Sequence, residues 1–425
     1  MKRTLRRFGG AAGAFGATVR GVVTLVRATR RLRLADLIVV MDEGGFGHTI
    51  IGPDAMRRAY PGRRLVFIAL SEHGRHNRRV ARLWREVSVI FLPLNAGFRR
   101  GPSRVASDVV PWFKKAASRF VLEWCRWLAR RDAHVFPLVE FYEQLPVAAH
   151  VRRAAQRRQT NVAWWNIAYL RLSRDIPAAA VYLPGPTRHR IAAVLKSRAP
   201  SLEKTCCLYL RQKGSGQAEI TSSRRCGSPL EAYVPGIRLL VDAGYQVLAT
   251  GDVILPASLV AEFHGAVVDA RSAGIDADLF SIYAGTEASI SVGDVGGGTW
   301  LPGLNGIPRL VINTFPYFYG FPGAWMYYKD LRDAHGRSVE PARLFREYAY
   351  DWDGAGMQVV DNSAEEIAAA ISSFLQDLRD GARADGEGDG FPDDTWIHHA
   401  GARLSPAWIR RHEQPAVTEV REQHA

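Results

Sequence analysis

Short unbroken apolar runs recur along this chain, each followed by a stretch with helical spacing. Asp36-Leu-Ile-Val-Val-Met41, Arg64-Leu-Val-Phe-Ile-Ala-Leu70 and Val87 to Leu92 read as strands covered on both faces, as in a parallel sheet. Helical stretches run to Ala59 and from Arg75 to Arg85, so the order is βαβαβ, half of a doubly wound sheet. Residues 104–175 read as mainly helical and basic, with Trp112, Trp124, Trp127, Trp164 and Trp165 interleaved. Buried helix packing under a solvated arginine face accounts for that interleaving.

A second series follows residues 176–204, a Pro- and Arg-rich stretch that reads as an inter-domain linker. Thr205-Cys-Cys-Leu-Tyr-Leu210, Tyr245-Gln-Val-Leu-Ala249, Ala266-Val-Val-Asp269, Ile290 to Val292 and Arg309-Leu-Val-Ile312 are its strands. Ser228-Pro-Leu-Glu231 has capping-box spacing, with Pro at the first helical position, and opens a helix that stops at Gly244. Ser363-Ala-Glu-Glu366 opens another, to about Leu378. The pattern predicts an α/β chain of two Rossmann-like domains facing across a cleft, over residues 34–185 and 186–380. A basic helical leader over 1–33 precedes them; an acidic loop and a C-terminal helix over 381–425 follow.

Charge sharpens the division. Residues 1–200 hold 37 Lys and Arg against 12 Asp and Glu, a balance of +25; residues 201–425 hold 19 against 30, or −11. Such halves face different partners. The first 33 residues contain no acid, and Leu5, Phe8, Phe15, Val19, Val22, Val23, Leu25 and Val26 fall between their arginines. One face of a leader helix is therefore expected to lie on an anionic membrane. No apolar run reaches the length of a membrane span. The four cysteines show no CxxC spacing, which fits a reduced compartment. The expected location is the cytoplasm, peripheral at the inner face of the cell membrane.

The densest signal for chemistry is Gly293-Asp-Val-Gly-Gly-Gly-Thr-Trp300, the start of a glycine run between two strands. Glycines let an anion approach backbone amides, and a helical turn over Thr299 to Leu304 would aim those amides at it. No GxxxxGK[ST] and no GxGxxG after the first strand occurs, so neither an ATP loop nor a dinucleotide fingerprint is present. Arg211 stands at the carboxyl end of a strand, and its fork suits a diphosphate; Lys213 follows in a flexible loop. Gly251-Asp252 ends the next strand, where a ribose or sugar hydroxyl would bind. Asp42-Glu-Gly-Gly-Phe-Gly-His48 ends the first strand, placing Gly45 and Gly47 at a strand–helix switch and His48 where a general base is useful. Asp276-Ala-Asp278 precedes a helical run and reads as an N-cap rather than a metal site. The acidic stretch from Asp385 lacks the glutamate of a calcium loop, and His398-His399 has no spaced partners for zinc. No nucleic-acid signature accompanies the basic half, so no specific nucleic acid is expected.

Cys207-Leu-Tyr-Leu-Arg211, Glu231-Ala-Tyr-Val-Pro-Gly-Ile237 and Gly244-Tyr-Gln-Val-Leu248 before Gly251-Asp252 together resemble a family of bacterial GT-B-type glycosyltransferases associated with surface-polysaccharide synthesis. The likeness continues through Asp278-Leu-Phe280, the glycine run, Asn305-Gly-Ile-Pro308, Asn313, Tyr328-Lys329 and Asp361-Asn-Ser-Ala-Glu-Glu-Ile367. The strand ending in Arg211 is also similar to the segment of fucosyltransferase-like GT-B enzymes in which an arginine holds the donor diphosphate, although Gln212 and Lys213 depart from that pattern. The resemblance implies transfer of a sugar from a nucleotide diphosphate sugar; the acceptor expected is a hydroxyl of a glycan, lipid-linked glycan or glycoside, and fixed donors at the leaving diphosphate would remove the need for a metal or cofactor. The donor set is then Arg211, Lys213, Asp252, Asp294, Gly296, Gly297, Gly298, Thr299, Asn313 and Lys329. Asp42, Glu43, Gly45 and Gly47 fall on the acceptor side, with His48 as base. Two alternatives stay open: a non-catalytic binder of nucleic acid or another polyanion, and another GT-B-fold transferase such as a pyruvyl transferase.

Overall fold

Leu37–Met41 (β1) and Leu65–Leu70 (β2) are buried along their whole length. With Val87–Leu92 (β3) and His134–Pro137 (β4) they form a sheet of order β3-β2-β1-β4, every pairing parallel. In its middle, Val39 pairs with Phe67 on one side and Phe136 on the other. Continuous apolar sequence is what strands covered on both faces require. The computed structural model describes residues 19–41, 46–70, 78–92, 104–145, 164–199, 203–211, 227–349, 356–384, 390–393 and 395–413. They form two compact units. The first takes its residues from Met1–Arg157, Ala163–Leu195 and Gly274–Glu287; the second takes its own mainly from Lys196–Ala273 and Ala288–Ala425.

In the first unit, residues 19–34 are helical, and Leu25, Ala28 and Leu32 pack against Ile38, Val40, Val66 and Ile68. Of the leader expected over 1–33, the part over 19–33 is helical, and its 25–28–32 spacing is an inward stripe that draws Leu25 into the core. Residues 1–18 lie outside the described residues. Phe46–Ala59 is the helix after β1. Its Asp54, wholly buried, accepts hydrogen bonds from Arg57 Nε at 2.7 Å, Arg58 Nε at 2.6 Å and the Tyr169 hydroxyl at 2.7 Å. Arg57 also donates to the Ala179 carbonyl at 2.7 Å, so this one carboxylate ties three segments together. Of the helix expected over 75–85, residues 78–82 form a 3₁₀ turn and 75–77 lie outside the described residues.

The second unit is built on Lys204–Leu210 (β5), Tyr245–Gly251 (β6), Val267–Asp269 (β7), Ile290–Asp294 (β8), Arg309–Thr314 (β9) and Ala324–Tyr328 (β10). Asp330–Arg332 (β11) and Gln358–Val360 (β12) make a separate antiparallel pair, and Arg403–Leu404 (β13) adds an edge to the main sheet. That sheet runs β13-β10-β9-β8-β5-β6-β7, all parallel. The chain moves outward from β5 through β6 to β7, then returns to β5's other side and moves outward again from β8 to β10.

Between β7 and β8 it leaves this unit. Helix Ala277–Glu287 belongs to the first, where Arg79 lies 3.6 Å from Asp276 and Arg188 lies 3.7 Å from Glu287. The first unit thus takes in residues 186–195 and 274–287, which a boundary at 185/186 assigns to the second. Asp276 Oδ1 accepts the Leu279 N–H at 3.1 Å, the N-cap read from the Asp276-Ala-Asp278 pattern.

The two capping boxes part company. At Ser363 the hydroxyl accepts the Glu366 N–H and the Glu366 carboxylate accepts the Ser363 N–H, opening helix Ala364–Arg379. At Ser228 no such box forms; helix Leu230–Asp242 starts after Pro229 without a side-chain cap. The buried Ser228 hydroxyl instead donates to the Asn362 carbonyl at 2.5 Å.

Candidate functional site

Open parallel sheets bind ligands at the carboxyl ends of their strands, where the strand order reverses direction. In the second unit that switch point lies between β5 and β8, and Arg211 and Asp294 stand at their two ends. The Asp294 carboxylate joins them. Oδ2 accepts the backbone N–H of Arg211 at 2.8 Å; Oδ1 accepts the Tyr233 hydroxyl and Asn313 Nδ2–H, the latter at 3.0 Å. Asp294 is fully buried, and burial pushes its carboxyl up to about 6 although the Tyr233, Arg211 and Asn313 donors pull the other way. It is therefore mainly a carboxylate at neutral pH. Gly227 is explained by the same group, because a Cβ there would collide with the carboxylate.

Asn313 extends the network. Its backbone is left-handed, φ 50°, a conformation asparagine tolerates better than most residues. Its Oδ1 accepts the Asn362 N–H at 2.8 Å, while its own N–H donates to Asn362 Oδ1 at 2.9 Å. Asn362 Nδ2 then donates to the Tyr328 carbonyl at 3.1 Å. Lys329 is wholly buried, with Nζ 2.5 Å from Asp361. Asp294 and Asn313 thus hold backbone of neighbouring segments at the strand ends, while Lys329 pairs with the Asp361 carboxylate.

The glycine run folds as a 3₁₀ turn, Gly297–Thr299, followed by the one-turn helix Trp300–Leu304. Its bareness has an internal reason. A Cβ on Gly296 would lie 2.6 Å from Arg211 Cδ and 2.7 Å from the Tyr209 hydroxyl oxygen, and one on Gly298 would enter the Tyr209 ring. Several amides expected to meet an anion already have partners. The Gly296 N–H donates to Thr299 Oγ1 at 3.1 Å, the Thr299 N–H to the Gly296 carbonyl at 3.2 Å, and the Gly298 N–H meets the Tyr209 hydroxyl. The Thr299 hydroxyl donates to the Asp294 carbonyl at 2.7 Å. The run therefore wraps Tyr209 and the stem of Arg211. Gly298→Ala is expected to cost about 1–3 kcal/mol by overpacking against Tyr209, read as a lower urea midpoint at an unchanged m-value.

Arg211 keeps 15% of its side-chain surface exposed, and its Nε lies 4.0 Å from Asp252 Oδ2. Asp252 follows β6, with its N–H donating to the Leu210 carbonyl at 2.9 Å, so both side chains belong to neighbouring strand ends. The structure thus brings together Arg211, Asp252, Asp294, Gly296, Gly298, Thr299 and Asn313. Lys213 lies outside the described residues.

Sequence reasoning gave no role to Tyr209, Gly227, Tyr233 or Asn362. Tyr209, Tyr233 and Asn362 stand inside segments that carry the resemblance, which was the available signal. In the first unit, β1 is flanked by β2 and β4, and Gly47 and His48 begin the helix after it, both half-buried. Asp42, Glu43 and Gly45 lie outside the described residues.

No protein-family model matches the chain, and no curated protein does. Among solved structures, it is similar to a glycosyl transferase family 9 protein of Veillonella parvula, at 12% identity and TM-score 0.44 over 80% of this chain and 98% of that one. It is also similar to the E. coli heptosyltransferase WaaC with ADP, at 13% identity and TM-score 0.41 over 81% and 99%. A third likeness is to the dodecameric iron-containing heptosyltransferase TibC in complex with ADP-D-beta-D-heptose, at 13% identity and TM-score 0.40 over 82% and 77%. These are distant likenesses, and the functional reading rests instead on strand order and the residues at the switch point.

Proposed function

We propose that the chain is a glycosyltransferase whose second unit holds the diphosphate of a nucleotide sugar at the β5/β8 switch point. One observation carries this reading: Arg211 is fixed at that point through its backbone bond to Asp294, while glycine backbone beside it leaves its side chain room. As the bond from the anomeric carbon to the diphosphate oxygen breaks, its electron pair stays on the leaving phosphate. A fixed guanidinium stabilises that growing charge without reorganising and without a metal. Asp252 would accept from a ribose or sugar hydroxyl, and Lys213 would add a second cation. The acceptor is a hydroxyl of a glycan, lipid-linked glycan or glycoside, served by the first unit's Asp42, Glu43, Gly45 and Gly47. His48 takes the proton that this hydroxyl loses as its oxygen bonds to the anomeric carbon.

His48→Ala is expected to lower kcat about 100- to 10,000-fold while donor affinity stays unchanged, measured by turnover and by calorimetric titration. Turnover close to wild type would move the base elsewhere. The rival reading, a polyanion binder driven by the basic first 200 residues, predicts steeply salt-dependent affinity for any polyanion and none for nucleotide sugars.

A further inference from the structure

Ten large hydrophobic side chains are exposed among the described residues, and seven of them fall on two helices of the first unit. Val19, Val22, Val23, Val26 and Leu34 belong to the helix over 19–34; Phe120 and Trp127 belong to Arg104–Leu128. Both helices cover the same face of the first sheet. Leu25, Ala28 and Leu32 of one and Val121, Cys125 and Leu128 of the other share a core with Ile38, Val40, Val66, Ile68, Leu70, Ile90 and Leu92. Their outward sides therefore point the same way, away from the sheet.

The spacing on those outward sides is helical. Residues 19, 22, 23 and 26 form one stripe, and 120, 124 and 127 form another. Trp127 is 73% exposed and Phe120 51%, so the buried packing expected of the tryptophans here holds in part for Trp124, which lies against the core, and fails for Trp127. Phe120, Trp124 and Trp127 touch in sequence, with ring centroids 6.0 and 5.5 Å apart, as a continuous apolar ridge. Positive charge surrounds both stripes. Arg20, Arg27, Arg30, Arg31 and Arg33 are exposed on a helix with no acid; Arg119, Arg126 and Arg130 flank the ridge, Arg130 being paired with Asp132 at 2.9 Å. The ridge's own acid, Glu123, is paired with Arg126 at 2.7 Å.

We propose that this two-helix face docks on an anionic lipid bilayer, with the valine stripe and the Phe120–Trp127 ridge in the headgroup layer and the arginines on lipid phosphates. Shallow apolar side chains ringed by arginine are the composition of an interfacial helix. A second copy of the chain fits poorly, because the same face would set arginine against arginine. Single-stranded nucleic acid fits poorly too: valines offer no base a stacking surface, and Trp124 and Trp127 tilt into each other. The inference stands apart from the transferase reading, since it uses no residue of the switch point.

The test is flotation of the full chain with vesicles of equal parts phosphatidylcholine and phosphatidylglycerol, and with phosphatidylcholine alone. The wild type is expected to float with the anionic vesicles only, and its tryptophan emission to shift blue. The pairs Phe120→Glu with Trp127→Glu, and Val22→Glu with Val26→Glu, are each expected to lower partitioning about tenfold or more at an unchanged unfolding midpoint. Trp127→Phe, which keeps the fold and an apolar ring, is expected to reduce the blue shift. The proposal is overturned if the wild type does not float with anionic vesicles or if the glutamate variants float as well as it does. It is equally overturned if those variants instead dissolve a dimer, or abolish binding to single-stranded DNA, with no lipid present.

Discussion

Replacing Arg211 by alanine is expected to weaken nucleotide diphosphate sugar binding about 30- to 150-fold, the ~2–3 kcal/mol of hydrogen bonds between a guanidinium and an anion. The fold should survive. The bond to Asp294 comes from the backbone N–H of residue 211, which alanine keeps, and the side chain is partly exposed. Calorimetric titration should therefore show the loss while the unfolding midpoint stays near that of the wild type. Arg211→Lys retains the charge without the planar fork and should fall between the two. A nucleoside lacking phosphate should bind both proteins equally weakly. If the alanine variant binds donor like the wild type, the diphosphate does not rest on Arg211.

Asp294→Ala should act on the fold first. It strands two donors, the Arg211 N–H and the wholly buried Tyr233 hydroxyl, while Asn313 Nδ2 keeps the Tyr233 oxygen at 2.9 Å. Each stranded donor costs about 1–3 kcal/mol, partly offset by removing a poorly solvated charge, so a net loss of ~2–4 kcal/mol is expected at pH 7. The pH dependence has a definite sign. The folded carboxyl titrates at about 6 and the ordinary value is 3.8. Between those values the folded chain holds a proton that the unfolded chain has lost. The stabilising contribution is thus full below about pH 4 and is lost as pH rises through about 6, a swing of ~3 kcal/mol. The stability gap between wild type and variant should accordingly widen from pH 7 to pH 4.5 in urea melts. A gap that narrows would mean the carboxyl is not strained by burial.

The parallel strands were readable because buried strands need unbroken apolar sequence, as in Leu37–Met41 and Leu65–Leu70. The short edge strands β4 and β13 offered no such run. Ser363 capped its helix as its spacing implied, whereas Ser228, with the same spacing, spends its hydroxyl on a carbonyl 134 residues away. Local pattern cannot register that competition. The glycine run did announce a close approach, and what approaches in the structure is the chain's own Tyr209 and Arg211. The network beneath was less legible, since Asp294 meets Tyr233 across 61 residues and Asn313 meets Asn362 across 49. Its members read singly as a turn acid, a helix tyrosine and two loop amides. Leu25 shows the same limit: in sequence it belonged to a leader's lipid face, and packing draws it into the core while Val22 and Val26 stay outside.

The proposed glycosyltransferase stands or falls on whether the β5/β8 switch point takes a nucleotide diphosphate sugar. A thermal-shift screen against UDP-, GDP-, ADP-, dTDP- and CMP-sugars tests it most directly. At about 100 times the dissociation constant, a true donor adds ~2.7 kcal/mol of stability, a rise of several degrees in the unfolding midpoint. Such a rise is expected with at least one diphosphate sugar, and its loss in Arg211→Ala. No rise with any of them, beside tight and salt-steep binding of an unrelated polyanion, would contradict it.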